Sequence, residues 1–138
     1  MSYKTIISAE DLKNNIDNND FIVFDCRCDI SDSSYGRSAY NDGHIKNSIF
    51  IDVDHDLASE KTVDSGRHPL PDPEILSEKL SQWGMNSNKQ VVVYDDAGGA
   101  FASRMRWILK WLGHTNVAVL DGALGAWMSS GGKLTSKT

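Results

Sequence analysis

The chain has 138 residues, room for one domain with its own hydrophobic core, and its 40% hydrophobic and 24% charged residues are ordinary for a globular protein. A formal net charge of −5 speaks against a nucleic-acid or anionic-membrane surface, both of which want a basic patch. The apolar runs are too short to span a bilayer and Met1–Lys4 begins no secretory leader, so the expected location is the cytoplasm.

From the N-terminus, Thr5–Ile7 predicts a short strand. Ser8 then caps a helix, with Asp11 three residues on as in a capping box and Leu12 and Ile16 sharing a face. Phe21–Asp25 is a continuous β-prone run, the pattern of a strand buried on both faces. Residues 29–47 hold Asp, Ser, Gly and Asn without clear periodicity and predict a long loop or broken helix. Ser48–Val53 is the third strong strand, and a second irregular stretch runs from Asp54 to Pro73. Asp72-Pro73-Glu74 opens a helix whose Ile75, Leu76, Leu80 and Trp83 fall on one side, and Gly84 closes it. Val91–Asp95 is the fourth strand, followed by Gly98-Gly99 and a helix from about Phe101 to Leu112 that Gly113 ends. Val117–Leu120 is the fifth, and Asp121-Gly122 turns into a short helix over Leu124–Met128. Strands alternating with helices predict an α/β fold, a central parallel five-stranded sheet with helices on both faces. The domain is expected over residues 1–130, with residues 131–138, mostly Gly, Ser, Thr and Lys, as the start of a linker.

Ligands of open parallel sheets collect outside the carboxyl ends of the strands. Those ends carry Asp25-Cys26-Arg27, Asp52-Val53-Asp54, Asp95-Asp96 and Asp121-Gly122. Gly98-Gly99 permits a tight turn into a helix N-terminus, where free N–H groups favour an anion, or serves simply as a strand-to-helix turn. Cys26 and Cys28 are the two cysteines, too close for an unstrained disulfide, and are expected as free thiols. A Cys-x-Cys metal site needs further ligands at set spacing, and His44, His55, His68 and His114 supply none, so no metal is expected.

Several segments resemble, in order and spacing, the rhodanese family, in particular the N-terminal domain of two-domain thiosulfate and 3-mercaptopyruvate sulfurtransferases. They are Phe24–Arg27, Tyr40–Ile45, Phe50–Asp54, Gly66–Pro71 and Val91–Gly99, then Arg104 with Trp107, Leu112–His114, and Val119–Gly122 with Trp127. The resemblance implies a rhodanese-like fold and transfer of sulfane sulfur to a thiophilic acceptor, with no cofactor. In active members a cysteine after the fourth strand heads a loop whose N–H groups cradle its persulfide. That chemistry needs a thiolate, and here the position is Asp95, which carries no transferable sulfur and would repel thiosulfate. The resemblance therefore implies a half without a nucleophile, a scaffold and active-site wall for a C-terminal rhodanese domain of the same polypeptide. Asp54 and His68 match an aspartate and a histidine that face the partner's active-site loop and assist proton transfer; alternatively, His68 braces the Pro-Leu-Pro turn. Arg67 and Arg104 hold an anionic substrate at the domain interface or pair with sheet-end aspartates.

Other classes fit less well. Cysteine phosphatases of this fold need Cys-x5-Arg at the loop, which Asp95 and Arg104 do not provide. A magnesium-dependent aspartyl phosphotransfer site would want a lysine ending the fifth strand, where Leu120-Asp121 stands. A non-enzymatic regulatory or interaction module remains as the alternative reading.

Overall fold

The computed structural model describes residues 3–29, 31, 32, 34–52, 72–86 and 88–136. In chain order the elements are β1 (Ile6–Ile7), α1 (Ala9–Asn14), β2 (Phe21–Asp25), α2 (Tyr35–Asp42), β3 (His44–Ile45) and β4 (Ser48–Phe50). There follow α3 (Pro73–Gln82), β5 (Gln90–Tyr94), α4 (Ala100–Trp111), β6 (Val117–Leu120), α5 (Ala123–Ser129) and β7 (Leu134–Thr135). Five strands form one sheet in the order β1-β6-β5-β2-β4, every pair parallel. The period of two along each strand divides the core into two halves. Ile22, Phe24, Val91, Val93 and Val117 meet α3 and α4 through Leu76, Leu80, Met105, Ile108 and Leu109. Val23, Val92, Tyr94, Ala118 and Leu120 meet α1 and α5 through Leu12, Leu124 and Trp127. Helices thus cover both faces, as the continuous apolar runs require.

The helix starts follow their local chemistry. The Ser8 hydroxyl accepts from the Asp11 N–H at 3.1 Å, and the Asp72 carboxylate accepts from the Glu74 and Ile75 N–H groups at 2.9 and 3.2 Å. On α3, Leu76 and Leu80 are buried but Ile75 is 57% exposed, so the buried stripe is narrower than the sequence pattern predicts. The expected loop of residues 29–47 instead contains α2 and β3. That helix is held by Gly36 and Tyr40 rather than by an apolar stripe, which is why it has no readable period. A Cβ on Gly36 would lie 2.2 Å from the Arg27 carbonyl oxygen, so only glycine permits the approach. Of the tail, Leu134 and Thr135 pair antiparallel with Ile45 and His44, and the Trp127 indole N–H donates to the Lys133 carbonyl at 3.0 Å.

Candidate functional site

The strand-to-helix turn after β5 closes on a single side chain. Asp95 is fully buried, and four backbone N–H groups converge on its carboxylate. Ala97 and Gly99 donate to Oδ1 at 2.9 and 2.8 Å; Phe101 and Ala102 donate to Oδ2, both at 2.9 Å. Gly98 and Gly99 make this possible with φ of +70° and +95°, left-handed conformations that turn successive N–H groups inward. The donors from Phe101 and Ala102 are first-turn groups of α4, which have no partner within the helix, and the helix dipole adds to the attraction. The cradle is an anion site whose anion is part of the chain. Asp95 does not stand outward to repel a substrate; its charge is spent on the loop's own donors.

The loop is braced from outside. The Tyr35 hydroxyl, at the start of α2, donates to the Asp96 carboxylate, and the Leu124 N–H of α5 donates to the Asp95 carbonyl at 2.9 Å. Burial and the Asp96 contact do the same thing to Tyr35: the hydrogen bond first, then burial, raise its pKa.

At the ends of β2 and β5 lies a buried polar network that the sequence reading did not identify. Asp25, at the end of β2, is fully buried and receives Arg27 through Nε at 3.0 Å and Nη2 at 2.7 Å, both to Oδ2. The backbone N–H of Arg27 donates to Oδ1 at 2.9 Å, and Nη2 also reaches the Gly43 carbonyl at 2.6 Å. The Tyr94 hydroxyl donates to Asp25 Oδ2 at 2.7 Å. Its single proton is thereby committed, so the Ser48 hydroxyl donates to Tyr94, as does the Ile45 N–H, each at 3.2 Å. The sequence signal was a tyrosine inside a fully buried strand, since a buried phenol needs a partner.

Burial above all, then the Asp25 charge, pushes the Tyr94 phenol well above its ordinary value; the Ser48 and Ile45 contacts oppose the shift only in part. Because the folded value lies above the unfolded one, the associated stability is fully present below about pH 10 and is lost as pH rises beyond it. Urea unfolding at about pH 8 and about pH 10.5 is therefore expected to show a steeper alkaline loss for the native chain than for Tyr94→Phe. Equal losses would mean that another group controls alkaline unfolding.

Asp54, Arg67 and His68 lie outside the described residues. Arg104 sits on α4, half-buried, and burial lowers its guanidinium pKa. Asp96 and Asp121 are exposed while Asp52 is half-buried. Cys26 is fully buried with its thiol directed at the Met105 sulfur 3.4 Å away. Burial first, then the Asp25 and Asp95 charges, raise that thiol well above its ordinary pKa, the reverse of what a nucleophile needs. Among the described residues, no group of three or more His, Cys, Asp or Glu side chains is placed to hold a metal ion. Among them, too, no helix is long and apolar enough to cross a membrane. A cleft of about 780 Å³ opens beside β4, lined among others by Tyr40, His44, Phe50, Trp83 and Leu134. That volume is in the range of small-molecule sites, but no cradle residue is among those that line it.

Comparison with known proteins accords with this geometry. The sequence profile of the rhodanese-like domain matches residues 8–130. A probable 3-mercaptopyruvate sulfurtransferase of Pseudomonas aeruginosa is 44% identical over 139 residues, covering 99% of this chain and 49% of that protein. A putative thiosulfate sulfurtransferase of Mycobacterium tuberculosis is 34% identical over 132 residues, covering 95% and 46%. Among solved structures, the 3-mercaptopyruvate sulfurtransferase from Leishmania major superposes with a TM-score of 0.89 at 26% identity, over 98% of this chain and 37% of that one. The chain spans about half the length of the curated relatives it matches, or less.

Proposed function

We propose, from the premise that this chain belongs to the rhodanese family, that it is the half of a two-domain sulfurtransferase that carries no nucleophile. The observation that carries the reading is the occupied cradle. In the family's active loops the N–H groups stabilise a cysteine thiolate and its persulfide; here the same kind of loop is saturated by the Asp95 carboxylate. An oxygen anion in that place holds the turn together but cannot accept sulfur. The chemistry then belongs to a C-terminal rhodanese domain of the same polypeptide. Its thiolate attacks the sulfane sulfur of thiosulfate or the thiol sulfur of 3-mercaptopyruvate, an S–S bond forms, and sulfite or pyruvate leaves. The persulfide passes its outer sulfur to a thiophilic acceptor. This domain supplies a wall of that site: His68 and Asp54 move the proton that the pyruvate carbon takes up, and Arg67 holds the donor's negative charge. Arg104, half-buried on α4, is the second arginine proposed to hold that charge or to pair with a sheet-end aspartate.

The experiment has two arms. Intact-mass measurement of this chain after exposure to thiosulfate or 3-mercaptopyruvate, without reductant, is expected to show no added sulfur. A gain of one sulfur atom that cyanide removes would place a persulfide on Cys26 or Cys28 and overturn the reading. In the two-domain protein, His68→Ala is expected to lower kcat with mercaptopyruvate by roughly 10²-fold, the usual contribution of a positioned proton-transfer group. An unchanged kcat would leave His68 as a brace of its turn.

A further inference from the structure

The outward face of α4 carries two indoles that the core leaves uncovered. Trp107 is 54% exposed and Trp111 44%. Four residues apart on one helix, they share a face, and their planes lie within 9° of parallel with ring centres 6.5 Å apart. A hollow of about 370 Å³ is lined by Arg106, Trp107, Lys110 and Trp111. The near-parallel indoles that border this hollow offer a stacking surface to a flat ring. The rim is cationic. Arg106 is held in place by donating from Nε and Nη2 to the Lys4 carbonyl at 3.0 and 2.6 Å, and Lys110 stands one turn further on. Two positive charges beside two aromatic faces favour a flat ring that bears a separate anionic group.

We propose that the Trp107–Trp111 slot binds a nucleotide, its base stacked on the two indoles and its phosphate against Lys110 and Arg106. The two cations at the hollow are too few to track a polynucleotide backbone, which restricts the ligand to a single nucleotide rather than a nucleic acid. The geometry is independent of the sulfur-transfer reading.

The test is a titration of the full chain with adenosine monophosphate, followed by tryptophan fluorescence and repeated by calorimetry. Saturable quenching is expected, weakened roughly 10- to 100-fold in Trp111→Ala, which removes one stacking face. Adenosine, without the phosphate, is expected to bind at least about tenfold more weakly than the monophosphate, and Lys110→Gln to narrow that gap. Both side chains are exposed, and the retained Trp83 and Trp127 emission together with circular dichroism checks that the variants fold. Absence of saturation at millimolar nucleotide would sink the proposal, as would undiminished binding by Trp111→Ala or equal binding of nucleoside and nucleotide. So would a dimer in sedimentation that Trp111→Ala dissolves, for the pair would then be a contact between copies.

Discussion

Replacing Asp95 with alanine is expected to lower the unfolding free energy by about 3–5 kcal/mol, the largest effect of any single change in the cradle. Four N–H groups lose their acceptor at once, and each buried donor left unsatisfied costs about 1–3 kcal/mol. Simple addition overshoots, because Asp96, Ala97 and Gly98 are exposed and water can enter beside them. Asparagine should recover only part of the loss, since its amide NH2 faces two donors where a carboxylate oxygen stood. Urea unfolding read by circular dichroism decides the matter, with the transition slope checked for constancy. A loss below about 1 kcal/mol would mean that the loop rebuilds its hydrogen bonds without the carboxylate, and that Asp95 is incidental to the turn.

The second large effect is expected at Asp25. Asp25→Ala leaves the Arg27 guanidinium, 6% exposed, without its carboxylate, and removing one partner of a buried pair costs about 3–5 kcal/mol. Part of that cost is the charge left behind, so Asp25→Ala combined with Arg27→Leu should be less damaging than the two single changes added together. A coupling of at least about 1 kcal/mol is expected from the double-mutant cycle. Strict additivity would show that the pair does not act as a unit and that Tyr94 alone anchors Asp25. The network ties β2 to β5, to the carbonyl of Gly43 and, through Tyr94, to β3 and β4. Its loss should loosen the ends of the strands from which the cradle hangs.

The architecture was legible where the sequence had a period to read. Short β-branched and aromatic runs such as Phe21–Asp25 and Val91–Tyr94 read as strands covered on both faces, and the capping chemistry of Ser8 and Asp72 marks helix starts that the structure reproduces. What escaped were elements held by one or two contacts. α2 depends on a glycine against a carbonyl and a tyrosine in the core, and β3–β7 is a two-residue ribbon between segments far apart in sequence. At the site, the sequence singled out Asp95 and the glycines after it, and the resemblance supplied the contrast with a cysteine. The direction of the carboxylate was not readable, since a chain of residue types does not say whether an acid faces solvent or its own backbone. The Asp25–Arg27–Tyr94 network was hidden for a related reason: Tyr94 comes from β5 and meets the Asp25–Arg27 pair at the end of β2 only when the sheet is assembled.

The strand order carries a consequence for how the chain is made. β1 joins the sheet beside β6, with Ile6 opposite Val119, so among the described residues its neighbour in the sheet is separated from it by about 110 residues of chain. A ribosome adding roughly 5–20 residues per second synthesises the docking partner roughly 5–20 seconds after Ile6 and Ile7 emerge. During that interval Ile7, fully buried in the finished domain, has no sheet to enter. β1 is thus made before the other strands of its sheet yet placed late, and the nascent chain presents a short apolar segment until β6 appears.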